Sequence, residues 1–318
     1  MRKKNKISVV IIAYNSEKTI YKCLFSLSKQ NFPKEEYEIV LVNDHSTDKT
    51  YKIAKQFKNV RIINQIENIH GISNPRNTGI KNAEAPIIAF TDSDCIVPRN
   101  WLSKLYNFLK NNPDFVAVGG SLKAIKTSGV LSNVDGSIGE AYGNISGLAT
   151  PNTAYLKSAL LKEQLFDTQL ITGEDPDLNW RLEKKGYKLK YLENIYVKHL
   201  WRSSLKSFIQ HQFNYGRGRA QLIKKHPKKY SVLERNFGVS FLILLITLMI
   251  IALKSIFISF LFAILFLILF SLVRRLNLLK KIYKKNNLKI LLISIFYFFI
   301  TDIFNTFGIL YQKSLKEK

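Results

Sequence analysis

The sequence predicts an α/β fold, a largely parallel sheet covered by helices, followed by an all-α region. Three observations predict it. Short β-branched apolar runs alternate with helix-like segments between residues 7 and 109, the pattern of βαβ units. Polar clusters follow directly on those runs, where open parallel sheets bind their ligands. Near residue 236 the composition shifts to long uncharged stretches. The 318 residues are therefore expected to divide into 1–236 and 237–318.

Ile7–Ala13 is continuously apolar, as for a strand covered on both faces. Residues 16–30 read as a helix, 38–42 as a second buried strand, and 50–57 as a helix after the capping types of 43–48. Residues 60–64 read as a third strand, and 74–83 as a loop leading into a helix. The strand at 86–91 runs into Asp92, Ser93 and Asp94, with a helix at 101–109 behind it. Residues 128–151, rich in Gly, Ser and Asn, read as loops with a short helix. Order returns with a helix at 177–185, a strand pair around 187–198 and a helix at 203–224.

Three apolar runs follow, 237–253, 255–273 and 290–311, the last carrying only Asp302 as a charge. Each approaches the roughly 20 residues that carry a helix across a bilayer. Basic clusters stand at 224–229 and 274–289, and the positive-inside rule places both on the cytoplasmic side. The sequence thus predicts a multi-pass protein of the cell membrane with its N-terminal part, 1–236, on the cytoplasmic side. The apolar run after the basic N-terminus is too short for an export signal. Two cysteines, Cys23 and Cys95, make no disulfide framework and fit a reducing compartment. The net charge of +25 suits nucleic acid, anionic lipid headgroups or phosphorylated substrates, and its placement favours lipid. Its clustering beside the apolar runs, with no recognised nucleic-acid motif, argues against nucleic acid as a partner.

Asp92 and Asp94, one residue apart at a strand's carboxyl end, can turn toward one divalent cation. Oxygen ligands of this kind suit Mg²⁺ or Mn²⁺ with a substrate phosphate. The same pair also fits a solvated, helix-capping turn. Glu174, Asp175 and Asp177 begin a helix, where negative charge is favoured by the dipole.

Taken in order, Ser8-Val-Val-Ile-Ile-Ala-Tyr-Asn15, Val42-Asn-Asp-His-Ser-Thr-Asp48, Arg76-Asn-Thr-Gly-Ile80, Asp92-Ser-Asp94 with Trp101, and Gly173-Glu-Asp-Pro-Asp-Leu-Asn-Trp-Arg181 resemble the family-2 glycosyltransferases of the GT-A fold. His199 and Gln212-Phe-Asn-Tyr-Gly-Arg-Gly218 extend the resemblance to about residue 220. It implies a Rossmann-like domain that uses a nucleotide-diphosphate sugar and inverts the anomeric carbon. By that resemblance Asp92, Asp94 and His199 hold Mn²⁺ or Mg²⁺, Asp175 is the catalytic base, and Glu174 supports it. Ala13, Tyr14, Asn15, Asn43, Asp44, Arg76, Asp92 and Ser93 border the donor, although members often carry Asp where Asn43 stands. Gly119 and Gly120 would let an acceptor approach the backbone, and Trp180 would stack on a sugar ring, with core packing as its competing reading. The expected acceptor is a hydroxyl of a lipid-linked saccharide or glycolipid, with membrane lipids as further partners. A polyprenyl-phosphate sugar synthase is the rival, but its phosphate acceptor needs no base. A processive synthase is disfavoured because no Gln-x-x-Arg-Trp motif occurs. A catalytically inactive module binding anionic polymers is disfavoured by the retained carboxylates.

Overall fold

The computed structural model describes residues 5–66, 71–125, 148–201, 204–230 and 288–315, with single positions at 127, 129, 132, 133, 136, 265 and 268. Its elements, in chain order, are β1 (Ile7–Ala13), α1 (Ile20–Ser28), β2 (Tyr37–Asn43), α2 (Thr50–Ala54), β3 (Val60–Asn64), α3 (Ser73–Asn82), β4 (Ile87–Phe90) and β5 (Cys95–Ile96). These are followed by α4 (Trp101–Asn111), β6 (Phe115–Ala124), β7 (Thr153–Leu156), α5 (Lys157–Lys162), α6 (Glu174–Lys184), β8 (Lys188–His199), α7 (Leu205–Lys225) and α8 (Leu288–Ser314). The chain forms two compact units: residues 1–126, 142–169 and 174–201 make the first, and 127–141, 170–173 and 202–318 the second.

The first unit is built on one eight-stranded sheet, ordered β3-β2-β1-β4-β7-β6-β8-β5. β1 pairs in parallel with β2 and β4, and β2 with β3, so four strand ends face one edge. β7 is antiparallel to β4 and β6, which makes the sheet mixed rather than purely parallel. Alternation along β1 serves both faces. Val9 and Ile11 pack with Leu24, Leu27, Leu41, Trp101 and Leu105 on one side. Val10 packs with Val40, Ile80, Phe90, Tyr155 and Phe166 on the other. A strand buried on both faces has no polar side to present, hence its unbroken apolar sequence.

Several sequence expectations change here. The strand pair around 187–198 is one long strand, β8, parallel to β6 with a register shift between Gly120 and Ser121. A Cβ on Gly120 would stand 1.8 Å from the Ile195 carbonyl oxygen and 2.5 Å from that of Leu192. On Gly119 it would stand 2.6 Å from the Asn152 carbonyl oxygen. The backbone that approaches these glycines is therefore the chain's own, which corrects their assignment to an acceptor. Most of 128–151 lies outside the described residues.

The larger correction concerns the membrane. Among the described residues no helix is long and apolar enough to cross a membrane, which overturns the expected multi-pass protein with a cytoplasm-facing catalytic part. The runs at 237–253 and 255–273 lie outside the described residues except for Leu265 and Ile268. The third run forms α8, which packs on α7 within the second unit and breaks its apolar surface with buried Asp302, Thr306 and Gln312. Asn305 Nδ2 donates to Gln212 Oε1 at 3.3 Å and Arg217 Nε to Gln312 Oε1 at 3.1 Å. Asn305 and Gln312 of α8 are thus used against another helix.

Gly120→Ala is expected to destabilise the protein by at least about 3 kcal/mol, because two carbonyls of β8 cannot retreat without breaking the ladder. Gly186, at φ +84° with nothing within 4 Å of an added Cβ, is the comparison. Its Ala variant should lose only about 1–2 kcal/mol of backbone strain. Equal losses in chemical unfolding would contradict the packing reading.

Candidate functional site

Parallel pairing carries the loops after β1, β2 and β4 to one edge of the sheet, and their side chains and amides knit together there. Asn15 and His45 both adopt left-handed backbone, at φ 45° and 59°, a region that Asn tolerates better than most residues. The Asn15 amide donates to Ser46 Oγ at 3.1 Å, while Asn15 Oδ1 accepts from the Thr47 amide at 2.9 Å. The Ala13 carbonyl accepts from the Asp44 amide at 2.9 Å. Asp48 caps α2 through the Thr50 amide and reaches back to the Glu17 amide. Tyr14 is left exposed, and Asp44 lies 3.2 Å from His45 Nδ1. Asn43 is buried and donates to Asn64 Oδ1 at 2.9 Å, so its amide is spent on β3. Ser93 Oγ meets Ser16 Oγ at 2.8 Å, tying the turn after β4 to the turn after β1.

Arg76, on α3, is only 4% exposed. Its Nη1 pairs with Glu174 and lies 3.3 Å from Asp175 Oδ1, and its Nη2 lies 3.8 Å from Asp92 Oδ1. The guanidinium stands over the Phe166 ring, 5.6 Å from the centroid. Burial works against its charge, but Asp175, then Glu174 and Asp92, outweigh that and raise its pKa above the ordinary range. Burial also pushes the Asp92 carboxyl up to about 6, against the pull of Arg76 and with Asp94 adding repulsion. Glu174 is raised chiefly by burial and then by Asp175, with Arg76 opposing. One cation thus holds three carboxylates that would otherwise repel one another.

Asp175 has a second set of partners that the sequence did not reveal. Its Oδ2 accepts from the Thr150 amide at 3.1 Å, and its Oδ1 from the Thr150 hydroxyl at 2.7 Å. Thr150 is fully buried. Further along α6, Asn179 donates to the Leu148 carbonyl at 2.8 Å and accepts from the Tyr155 hydroxyl at 2.8 Å. The N-terminal turns of α6 are therefore sewn to residues 148–155. Trp180 is partly buried on the same helix.

The paired aspartates divide. Asp92 turns toward Arg76, whereas Asp94 Oδ1 lies 3.4 Å from His199 Nε2. Cys95 pairs with His199 across β5 and β8. Among the described residues, the group of potential ligands close enough to share one ion is Asp94, Cys95 and His199.

The profile of glycosyl transferase family 2 matches residues 8–160. A Methanococcus voltae relative, dolichyl N-acetyl-alpha-D-glucosaminyl phosphate 3-beta-D-2,3-diacetamido-2,3-dideoxy-beta-D-glucuronosyltransferase, is 30% identical over 273 residues, covering 78% of this chain and 83% of that protein. The chain belongs to glycosyltransferase family 2. The poly(ribitol-phosphate) beta-glucosyltransferase of Bacillus spizizenii is 38% identical over 194 residues, 58% of this chain but only 30% of that protein. In fold, a Pyrobaculum calidifontis mannosyltransferase solved with GDP-Man and Mn²⁺ superimposes with a TM-score of 0.64 at 15% identity, covering 98% of this chain and 88% of that one. The mixed sheet is thus the GT-A-like fold, and the protein is a glycosyltransferase.

The Thr150 contacts give a test. Thr150→Val keeps the amide donor but removes the hydroxyl, and should lower kcat for sugar transfer at least about tenfold with donor KM little changed, since a small misplacement of a side chain at a transfer site is costly. Thr150→Ser should restore most of the loss. Equal losses in both variants would leave Thr150 with a packing role only.

Proposed function

We propose that this glycosyltransferase moves a sugar from a nucleotide-diphosphate donor to a hydroxyl of a lipid-linked saccharide, with inversion at the anomeric carbon. The observation that carries this reading is the gathering of Asp92, Glu174 and Asp175 around buried Arg76 at the carboxyl edge of the sheet. The lipid-linked acceptor agrees with the dolichyl phosphate-linked sugar in the name of the Methanococcus voltae relative.

Asp175 is assigned as base. It takes the acceptor hydroxyl proton as that oxygen bonds to the anomeric carbon, and the bond to the diphosphate breaks with its electron pair leaving on the diphosphate. Thr150 and Arg76 fix the carboxylate's direction, and its partial exposure leaves room for the hydroxyl. Glu174, fully engaged by Arg76, positions rather than reacts. The loops at 13–16 and 43–48 border the nucleoside.

The family implies a divalent metal, and the donors present fit one. Asp94 Oδ1 stands 3.4 Å from His199 Nε2, a carboxylate oxygen and an imidazole nitrogen close enough to share one ion. Asp94 and His199 would hold the ion, which when bound neutralises charge on the leaving diphosphate, whereas Asp92, turned toward Arg76, stands outside their group.

Asp175→Asn keeps the shape but cannot take a proton, and it gives up one of the two acceptor oxygens that Thr150 uses. It should reduce transfer by about 10²–10⁴-fold while donor affinity, read by calorimetry, stays within a factor of about two. Transfer at the wild-type rate in Asp175→Asn would sink the base assignment.

A further inference from the structure

The ion proposed above is a hard one, yet the group of ligands at this turn contains sulfur. The antiparallel pairing of Cys95 with His199 sets both side chains on one face of the sheet. Asp94, immediately before Cys95, reaches the same point. Its Oδ1 is 3.4 Å from His199 Nε2 and 3.9 Å from Cys95 Sγ. One ligand atom from each of the three residues lies within 4.8 Å of the others. A tetrahedral Zn²⁺ at ordinary bond lengths needs its O, N and S donors about 3.3–3.6 Å apart, so only small shifts separate this arrangement from a closed site. The imidazole is fixed by an edge contact with Trp201, with centroids 4.7 Å apart, and its Nδ1 is buried with no hydrogen-bond partner. A sulfur, an imidazole and one carboxylate form a donor set for borderline and soft divalent ions, unlike the all-oxygen sets that Mg²⁺ and Mn²⁺ favour.

We propose that Asp94, Cys95 and His199 form a thiolate-containing site for a thiophilic divalent cation of the Zn²⁺ class, and that its occupant inhibits sugar transfer by taking Asp94 and His199 from the catalytic ion. Binding forms a metal–sulfur bond and releases the Cys95 thiol proton to solvent. Binding at the site does not depend on the proposed reaction. The inhibition does rest on that reading, through the assignment of Asp94 and His199.

The test is a Co²⁺ titration of the metal-free full chain, followed by the thiolate-to-metal charge-transfer band in the near ultraviolet. The wild type should develop the band with one ion per chain and lose it on addition of Zn²⁺. Cys95→Ser should abolish it, and Cys23→Ser, which removes the other cysteine, should retain it. His199→Gln leaves both thiols in place and should raise the Co²⁺ concentration needed by at least about tenfold. That guards against misreading a Cys95→Ser chain that fails to fold. A wild type without the band, or a band that persists in Cys95→Ser or vanishes in Cys23→Ser, would overturn the site. In transfer assays supplemented with Mn²⁺, Zn²⁺ should inhibit the wild type. A charge-transfer band without that inhibition would keep the metal site and reject its competition for Asp94.

Discussion

Everything at this site depends on one buried cation. Arg76 is almost wholly removed from water, and its guanidinium meets Glu174, Asp175 and Asp92. Buried like charges of that number are unstable unless a counter-charge is held among them. Arginine suits the task because its planar fork serves several oxygens at once and its charge is not lost on burial. The guanidinium also links separate parts of the chain, since its partners lie on the turn after β4 and at the start of α6. Asp92 and Asp175 are thereby fixed relative to each other.

The sheet sets where this can happen. β1, β2 and β4 run in parallel and end together, and their loops are locked by side chains that serve each other's amides. β7 reverses direction beside β4 and presents Thr150 at its start, from which the amide and hydroxyl grip Asp175. Had β7 been parallel, its start would have fallen at the opposite edge. The mixed topology is therefore what brings the α6 carboxylates to the ends of the parallel strands.

Much of this was legible in the residues. The apolar strands 7–13, 38–42 and 86–91 announce themselves because burial on both faces leaves no polar alternation. The positions of Asp92, Asp94 and Asp175 are legible because carboxylates at a strand end and a helix start follow apolar or capping patterns, whereas their roles rest on the family resemblance. Arg76 was noticed, but its surroundings were not. Its partners lie up to 99 positions away, and no local pattern encodes them. Thr150 was missed because it ends a stretch of Gly, Ser and Asn without periodicity. Gly119 and Gly120 were read as room for an acceptor, whereas tertiary packing fills that room with β8 and the segment at Asn152. The membrane reading failed on α8 for a related reason: hydropathy along a sequence does not show that Gln312 and Asn305 face the polar groups of α7.

The central claim, that Arg76 organises the charges of the site, is tested most directly by the unfolding free energy of Arg76→Met as a function of pH. Without the guanidinium the carboxylates become buried and unopposed, so the folded-state pKa values of Asp92 and Glu174, already raised by burial, rise further above the unfolded ones. Stability is then present at low pH and lost as pH rises through the raised values. The account predicts a deficit against the wild type of about 3–5 kcal/mol near pH 7, shrinking steadily as acid neutralises the carboxylates. A deficit that stays constant across that range would mean that Arg76 contributes packing alone, and would contradict the account.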